Sequence, residues 1–115
     1  MQWLEPWDAI TDEDWPTNRV EFCRGWEEQL AREVGPGHLL FQQAVHLIAR
    51  NFGTDDALFQ LLDGRVAEVH LVWGKGMELD PRWPSTAIFA SLDEWARKSL
   101  PQWHRDWQAS NTDGP

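Results

Sequence analysis

Four histidines, one cysteine and nineteen carboxylates are the groups in this 115-residue chain that could move a proton, attack a carbonyl or hold a metal. Among the histidines, His70 has the best company. Glu68 lies two residues before it, on the same face of any strand, and Arg50 falls on the same sheet face two strands away. A histidine beside a carboxylate or a guanidinium is the minimum for general acid–base work. No nucleophile completes the set: there is no GxSxG elbow. The chain also lacks HExxH, paired cysteines and an EF-hand loop, so no metal and no cofactor are expected. His38 follows a helix stop and His104 lies near the C-terminus, neither at a recognised ligand spacing. Cys23 falls on an apolar helix stripe beside Trp26, the setting of an inert buried thiol. Gly35-Pro36-Gly37 and Gly74-Lys75-Gly76 are too short and wrongly placed to cradle a phosphate.

The elements that must position these groups follow from period and punctuation. Asn18 as N-cap with Glu21 three residues on opens a helix from about Arg19 to Val34. Its stripe is Cys23, Trp26, Leu30 and Val34, with Phe22 beside it, and Gly35-Pro36-Gly37 stops it. The period then changes to two, predicting strands over 45–50, 58–62 and 66–73. Asp63-Gly64 joins the last two as a hairpin. A Gly- and Pro-containing loop spans 74–84, and Thr86–Ala90 is a short fourth strand. Ser91 and Glu94 form a second capping box, opening a helix through Trp95 and Lys98 that Pro101 ends or kinks. A further short helix over 101–107 is compatible with the pattern. The expectation is one α+β domain over residues 1–115: an N-terminal helix, an antiparallel meander sheet of three to four strands, and a C-terminal helix packed on one sheet face. Residues 1–17 form an acidic, Trp-rich arm and 108–115 a loose tail.

Register decides which side chains meet. A two-residue loop at Asp63-Gly64 pairs Leu58 with Val69 and Phe59 with Glu68. A first turn of even length pairs Arg50 with Phe59, putting Arg50, Phe59 and Glu68 in one row; an odd length moves the first strand to the other face. In this register Leu58, Ala67, Val69, Leu71 and Trp73 face the core beneath the helices. His46, Phe59, Leu61, Glu68 and His70 face the other way, on a mixed surface that is solvated, a partner site or a cleft. His46 and His70 then lie about 20 Å apart along the strands and cannot share one ion.

Nineteen acidic against ten basic residues leave a formal net charge of −9, which excludes a protein that lives by coating nucleic-acid phosphates. No apolar run approaches the length of a membrane helix, and the first residues show no secretory signal. With a single cysteine, a reducing cytoplasm is the expected compartment. Residues 1–33 hold nine acids and three bases, a local −6 that includes the run Asp12-Glu13-Asp14. That run reads either as a solvated face or as a field steering a basic partner. Nine tryptophans with no tyrosine are the compositional oddity, suited to wrapping a small core or to anchoring a partner.

The segment Asp55–Trp95 resembles a group of small bacterial proteins of unknown function. The matching positions are Asp55, Asp56, Leu58 and Phe59, then Asp63-Gly64, then Val69, His70, Leu71 and Trp73, followed by Trp83, Pro84 and Thr86 and by Phe89, Ser91 and Trp95. The resemblance implies the hairpin, a Trp-Pro turn and the capped helix, and it singles out His70; it implies no activity, cofactor or catalytic residue.

Together these features predict a small acidic, non-enzymatic protein-interaction domain, one version being an immunity-type antitoxin that masks a basic toxin. The expected interaction residues are Arg50, Phe59, Glu68, His70, Trp83, Asp12, Glu13 and Asp14, with a basic protein or a second copy of the chain as partner and neither nucleic acid nor membrane. The alternative is a small-molecule-binding or hydrolytic domain that uses His70 beside the 74–84 loop.

Overall fold

The computed structural model describes residues 2–10, 19–74 and 76–111. The run Asp12-Glu13-Asp14 and the expected N-cap Asn18 lie outside them. Elements follow in the order β1 (Trp7–Ala9), α1 (Arg19–Glu33), β2 (Val45–Asn51), β3 (Asp56–Leu61), β4 (Val66–His70), β5 (Ser85–Phe89), α2 (Leu92–Lys98) and α3 (Leu100–Asn111). The strands form one antiparallel sheet in the order β1-β2-β3-β4-β5. The α+β class, the antiparallel meander, α1 and the helix opened by Ser91 are as the sequence predicts. The sheet gains a fifth strand because Trp7–Ala9, expected in the N-terminal arm, pairs with Ala49–Asn51.

Helices cover both sheet faces. On one face Leu30 and Val34 of α1 pack with Leu47, Ala57, Phe59, Leu61, Ala67, Val69 and Leu71. On the other, Trp95 of α2 and Leu100 of α3 pack with Trp7, Ala49, Leu58 and Val66. The mixed open face expected from the sequence is therefore closed.

Two local irregularities explain the difference. The hairpin between β3 and β4 has three loop residues, Leu62, Asp63 and Gly64, rather than two. Leu61 N–H donates to Arg65 C=O at 2.9 Å, Gly64 N–H to Leu61 C=O at 3.1 Å, and Gly64 takes φ +92°. This is a tight turn closed by a residue in the left-handed region, which glycine adopts without a Cβ clash. The extra residue shifts the register by one, so Phe59 pairs with Ala67 and Glu68 with Leu58. In β2 the register shifts between Leu47 and Ala49, a bulge at Ile48 that sends these two side chains to opposite faces. Arg50 consequently pairs with Ala57.

The connection from α1 to β2 is tied down by His38, which is buried. Leu40 N–H donates to its Nδ1 at 2.9 Å, so the ring proton sits on Nε2, which donates to Pro84 C=O at 2.9 Å. At the C-terminal end, Ser91 Oγ caps α2 by accepting Glu94 N–H at 3.1 Å. Lys98 and the Ala90 N–H bond to the Glu94 carboxylate and lower its pKa below the ordinary value. Pro101 occupies the first turn of α3, where no helical N–H is required of it. α3 then runs to Asn111, beyond the 101–107 segment predicted and into the region expected to be loose.

Candidate functional site

The polar groups that sequence alone offers for chemistry divide into those spent on holding the fold and those left facing solvent. Glu68 belongs to the first class. Its Oε1 accepts from Trp95 Nε1 at 2.8 Å, Ser99 Oγ at 2.6 Å and Trp103 Nε1 at 2.9 Å. The donors stand four residues apart and thread the α2–α3 junction, so one carboxylate fastens both helices to β4. The expectation that Glu68 forms an interaction surface is corrected: it points into a covered face. Phe59 is likewise corrected. It is 0% exposed beneath α1, because the three-residue hairpin turns it away from Glu68. Arg50 does not join them either, since the bulge places it opposite Ala57, with its guanidinium 5.6 Å from the Phe22 ring centroid.

Glu33, fully buried, is a second structural carboxylate. It accepts from Val72 N–H and Trp73 N–H, both at 2.8 Å, and from Gln29 Nε2 at 2.7 Å. Those two amides are thereby taken from the ladder, which is why β4 ends at His70 and not at Trp73. Trp73 adopts φ +58° and packs edge-on against Trp26, with centroids 4.9 Å apart. Glu78 N–H returns to Glu33 C=O at 2.9 Å. The 71–84 connection is thus anchored at Glu33 and again at His38.

What remains gathers at the end of the sheet where β2 turns into β3. His70 is half exposed, with Nδ1 3.2 Å from Asp56 Oδ1. Asp56 is 7% exposed and accepts from Thr54 Oγ1 at 2.6 Å, while Asp56 N–H donates back to Thr54 Oγ1 at 3.1 Å. A buried carboxylate thus orients a half-exposed imidazole. His70 lines a cleft of about 440 Å³ together with Asp55, Leu71, Val72, Glu78 and Trp83. Around it the anchored connection exposes Val72, Trp73, Met77, Leu79 and Trp83. Asp80 and Arg82 pair at 2.6 Å in the same connection, and the Arg82 side chain holds the Asp80 carboxyl down at about 2. No protein-family model matches the chain, nor does any curated protein or any solved structure.

Of the expected site residues, the structure brings His70 and Trp83 to one cleft and sends Arg50, Phe59 and Glu68 elsewhere. His46 lies on β2 opposite Gln60, and His104 Nδ1 donates to Glu5 C=O at 2.7 Å. Cys23 is partly buried, its Sγ 3.9 Å from Leu47 C=O. Among the described residues no group of three His, Cys, Asp or Glu side chains could hold a metal ion. No helix is long and apolar enough to cross a membrane among the described residues. Sequence reasoning missed Asp56 and Thr54, although a Thr two residues before an Asp at a turn is a signal for side-chain bonding to the local backbone.

Proposed function

We propose that this chain is an acidic protein-interaction domain that receives a basic partner on the 71–84 connection and in the cleft beside His70. The observation that carries the reading is the combination of exposed apolar side chains with a fixed backbone. Val72, Trp73 and Trp83 are each nearly half exposed, yet the segment bearing them is tied to buried Glu33 and His38. Anchors held in place before binding lose little conformational freedom on association. Asp55 and Glu78 in the cleft, within a chain of net charge −9, favour a partner with exposed Lys and Arg. An immunity-type protein that masks a basic toxin is one form this would take, on the grounds of charge and size. Self-association is disfavoured as a use of the sheet faces, which the helices occupy.

The test is affinity capture from native lysate with four versions of the chain. A basic protein retained by the parent and by Leu62→Ser, whose side chain lies at the far hairpin, but lost with Trp83→Ala and with Asp55→Lys combined with Glu78→Lys, is the expected result. Retention that ignores all these substitutions, or no retention at all, would overturn the reading.

The Asp56–His70 pair supports a second reading, in which His70 acts as a general base on a small substrate. Asp56 would hold the proton on Nδ1 and leave Nε2 to accept one. No serine, threonine, cysteine or lysine is among the described residues lining the cleft, so water would be the nucleophile. Hydrolysis of activated esters or phosphodiesters that is lost in His70→Ala and weakened in Asp56→Asn would favour it; turnover equal in all three proteins would dismiss it.

A further inference from the structure

Gly53 and Thr54, next to the Asp55 that lines the His70 cleft, line a separate groove of about 450 Å³, within the range of small-ligand sites. One wall is a stripe on α3 at helical spacing, Trp103, Asp106, Trp107 and Ser110; the other is Pro6, Asn51, Gly53 and Thr54. We infer that this groove binds an organic cation that carries an oxygen acceptor near its charge, such as an arginine or lysine side chain with its own peptide carbonyl, or a free hydroxylated or acylated amine.

Three independent features of the groove point to that chemistry. Its indoles are fixed before any ligand arrives. Trp103 Nε1 is held by Glu68 at 2.9 Å, and the Trp107 ring meets Phe52 edge-on at 6.3 Å while stacking on His104. Fixed indole faces attract cations through the ring quadrupole. The charge in the lining has one sign, since Asp106 is its only ionisable side chain. Asp106 Oδ1 accepts from Gln102 Nε2 at 2.8 Å, and Oδ2 makes no hydrogen bond among the described residues. The inner wall, finally, is short of acceptors. Asn51 is 1% exposed; its Oδ1 holds Gly53 N–H at 2.8 Å, but its Nδ2 is buried without a partner. A buried donor left unpaired is costly, and a ligand oxygen at this wall would relieve it. A neutral saccharide could stack on the indoles and supply oxygens as well, but it would leave the Asp106 charge unanswered.

The inference does not rest on the His70 cleft: none of the groove's lining residues lines that cleft. It is tested by calorimetry and by following the indole N–H resonances of the ¹⁵N-labelled chain. The probes are N-acetyl-arginine methylamide for a peptide source, choline for a free amine, and glucose as a neutral stacking control. The expected result is saturable binding of one or both cations, with the Trp103 and Trp107 indole signals shifting. Affinity should fall about tenfold in Asp106→Asn and in Trp107→Leu, and stay unchanged in Glu78→Gln. Which cation binds more tightly distinguishes the two sources. Binding of glucose in preference to both cations, cation binding indifferent to Asp106→Asn, or no saturable binding by either cation would overturn the proposal. Asp106→Asn keeps the side chain's size at an exposed site, so its folding is expected to match the parent and is checked by circular dichroism.

Discussion

Glu68 shows how a residue type that suggests catalysis can be consumed by architecture. Three donors converge on its Oε1, and they come from the two helices that close one face of the sheet. Hydrogen bonds to a charged acceptor contribute more than neutral ones, and removing the acceptor leaves two indole N–H groups and a hydroxyl in a largely dry interface. Glu68→Ala is therefore expected to cost about 3 kcal/mol in urea unfolding, given the usual penalty for stranded buried donors. Glu68→Gln keeps one carbonyl oxygen and should cost about half as much. A loss below roughly 0.5 kcal/mol in Glu68→Ala would show that water replaces the carboxylate without penalty. His70 is the opposite case: it keeps half its surface in solvent, and its partner Asp56 is the group that is buried.

At the scale of elements, the hairpin between β3 and β4 decides which face each chemical group occupies. Asp63-Gly64 marks the turn correctly in the sequence, but one dipeptide suits a two-residue loop and a three-residue loop alike. The difference is whether Leu62 belongs to the strand or to the turn. In the structure it lies in the turn and is 79% exposed, while Asp63 binds Arg65 through both its backbone N–H and its guanidinium, which lowers the Asp63 pKa. Leu62→Ser should then change stability by no more than about 0.5 kcal/mol. Had Leu62 faced the core, the same substitution would cost about 3 kcal/mol. Gly64→Ala, at φ +92°, should cost about 1 kcal/mol. Thermal unfolding of the two variants checks both values, and the reverse order would restore the two-residue turn. α1, α2, strands β2 to β5 and the Ser91 cap were legible because each depends on a local pattern: Cys23, Trp26, Leu30 and Val34 mark α1 by spacing alone. The row Arg50–Phe59–Glu68 was not legible, because it depends on a one-residue turn length and on a bulge at Ile48 that no residue type announces. The fifth strand was missed for a related reason. Trp7-Asp8-Ala9 is too short to show a period and becomes a strand only because β2 offers an edge.

At the scale of the molecule, the excess of nine negative charges has two consequences with opposite dependence on salt. Within the chain, like charges repel and work against the compact state; raising ionic strength screens them. Between the chain and a basic partner, the same field promotes encounter, and screening weakens it. Helices pack on both sheet faces, so neither effect is entangled with an open apolar sheet face. Going from about 50 mM to about 500 mM sodium chloride shortens the screening length to well below the dimensions of the domain. The unfolding free energy of the isolated chain should rise by on the order of 1 kcal/mol, while affinity for a basic partner falls by about tenfold or more. The loss should lie chiefly in the association rate, because long-range steering acts before contact is made and the apolar contacts proposed for Trp83 and Val72 carry no charge to screen. Stopped-flow association and urea unfolding over the same salt series separate the two. A partner whose dissociation rate carries the whole salt effect would be held by close ion pairs at Asp55 and Glu78, not steered by the charge of the chain. A chain that lost stability with salt would mean that its paired charges, such as Asp80 with Arg82 and Glu94 with Lys98, outweigh the repulsion among the rest.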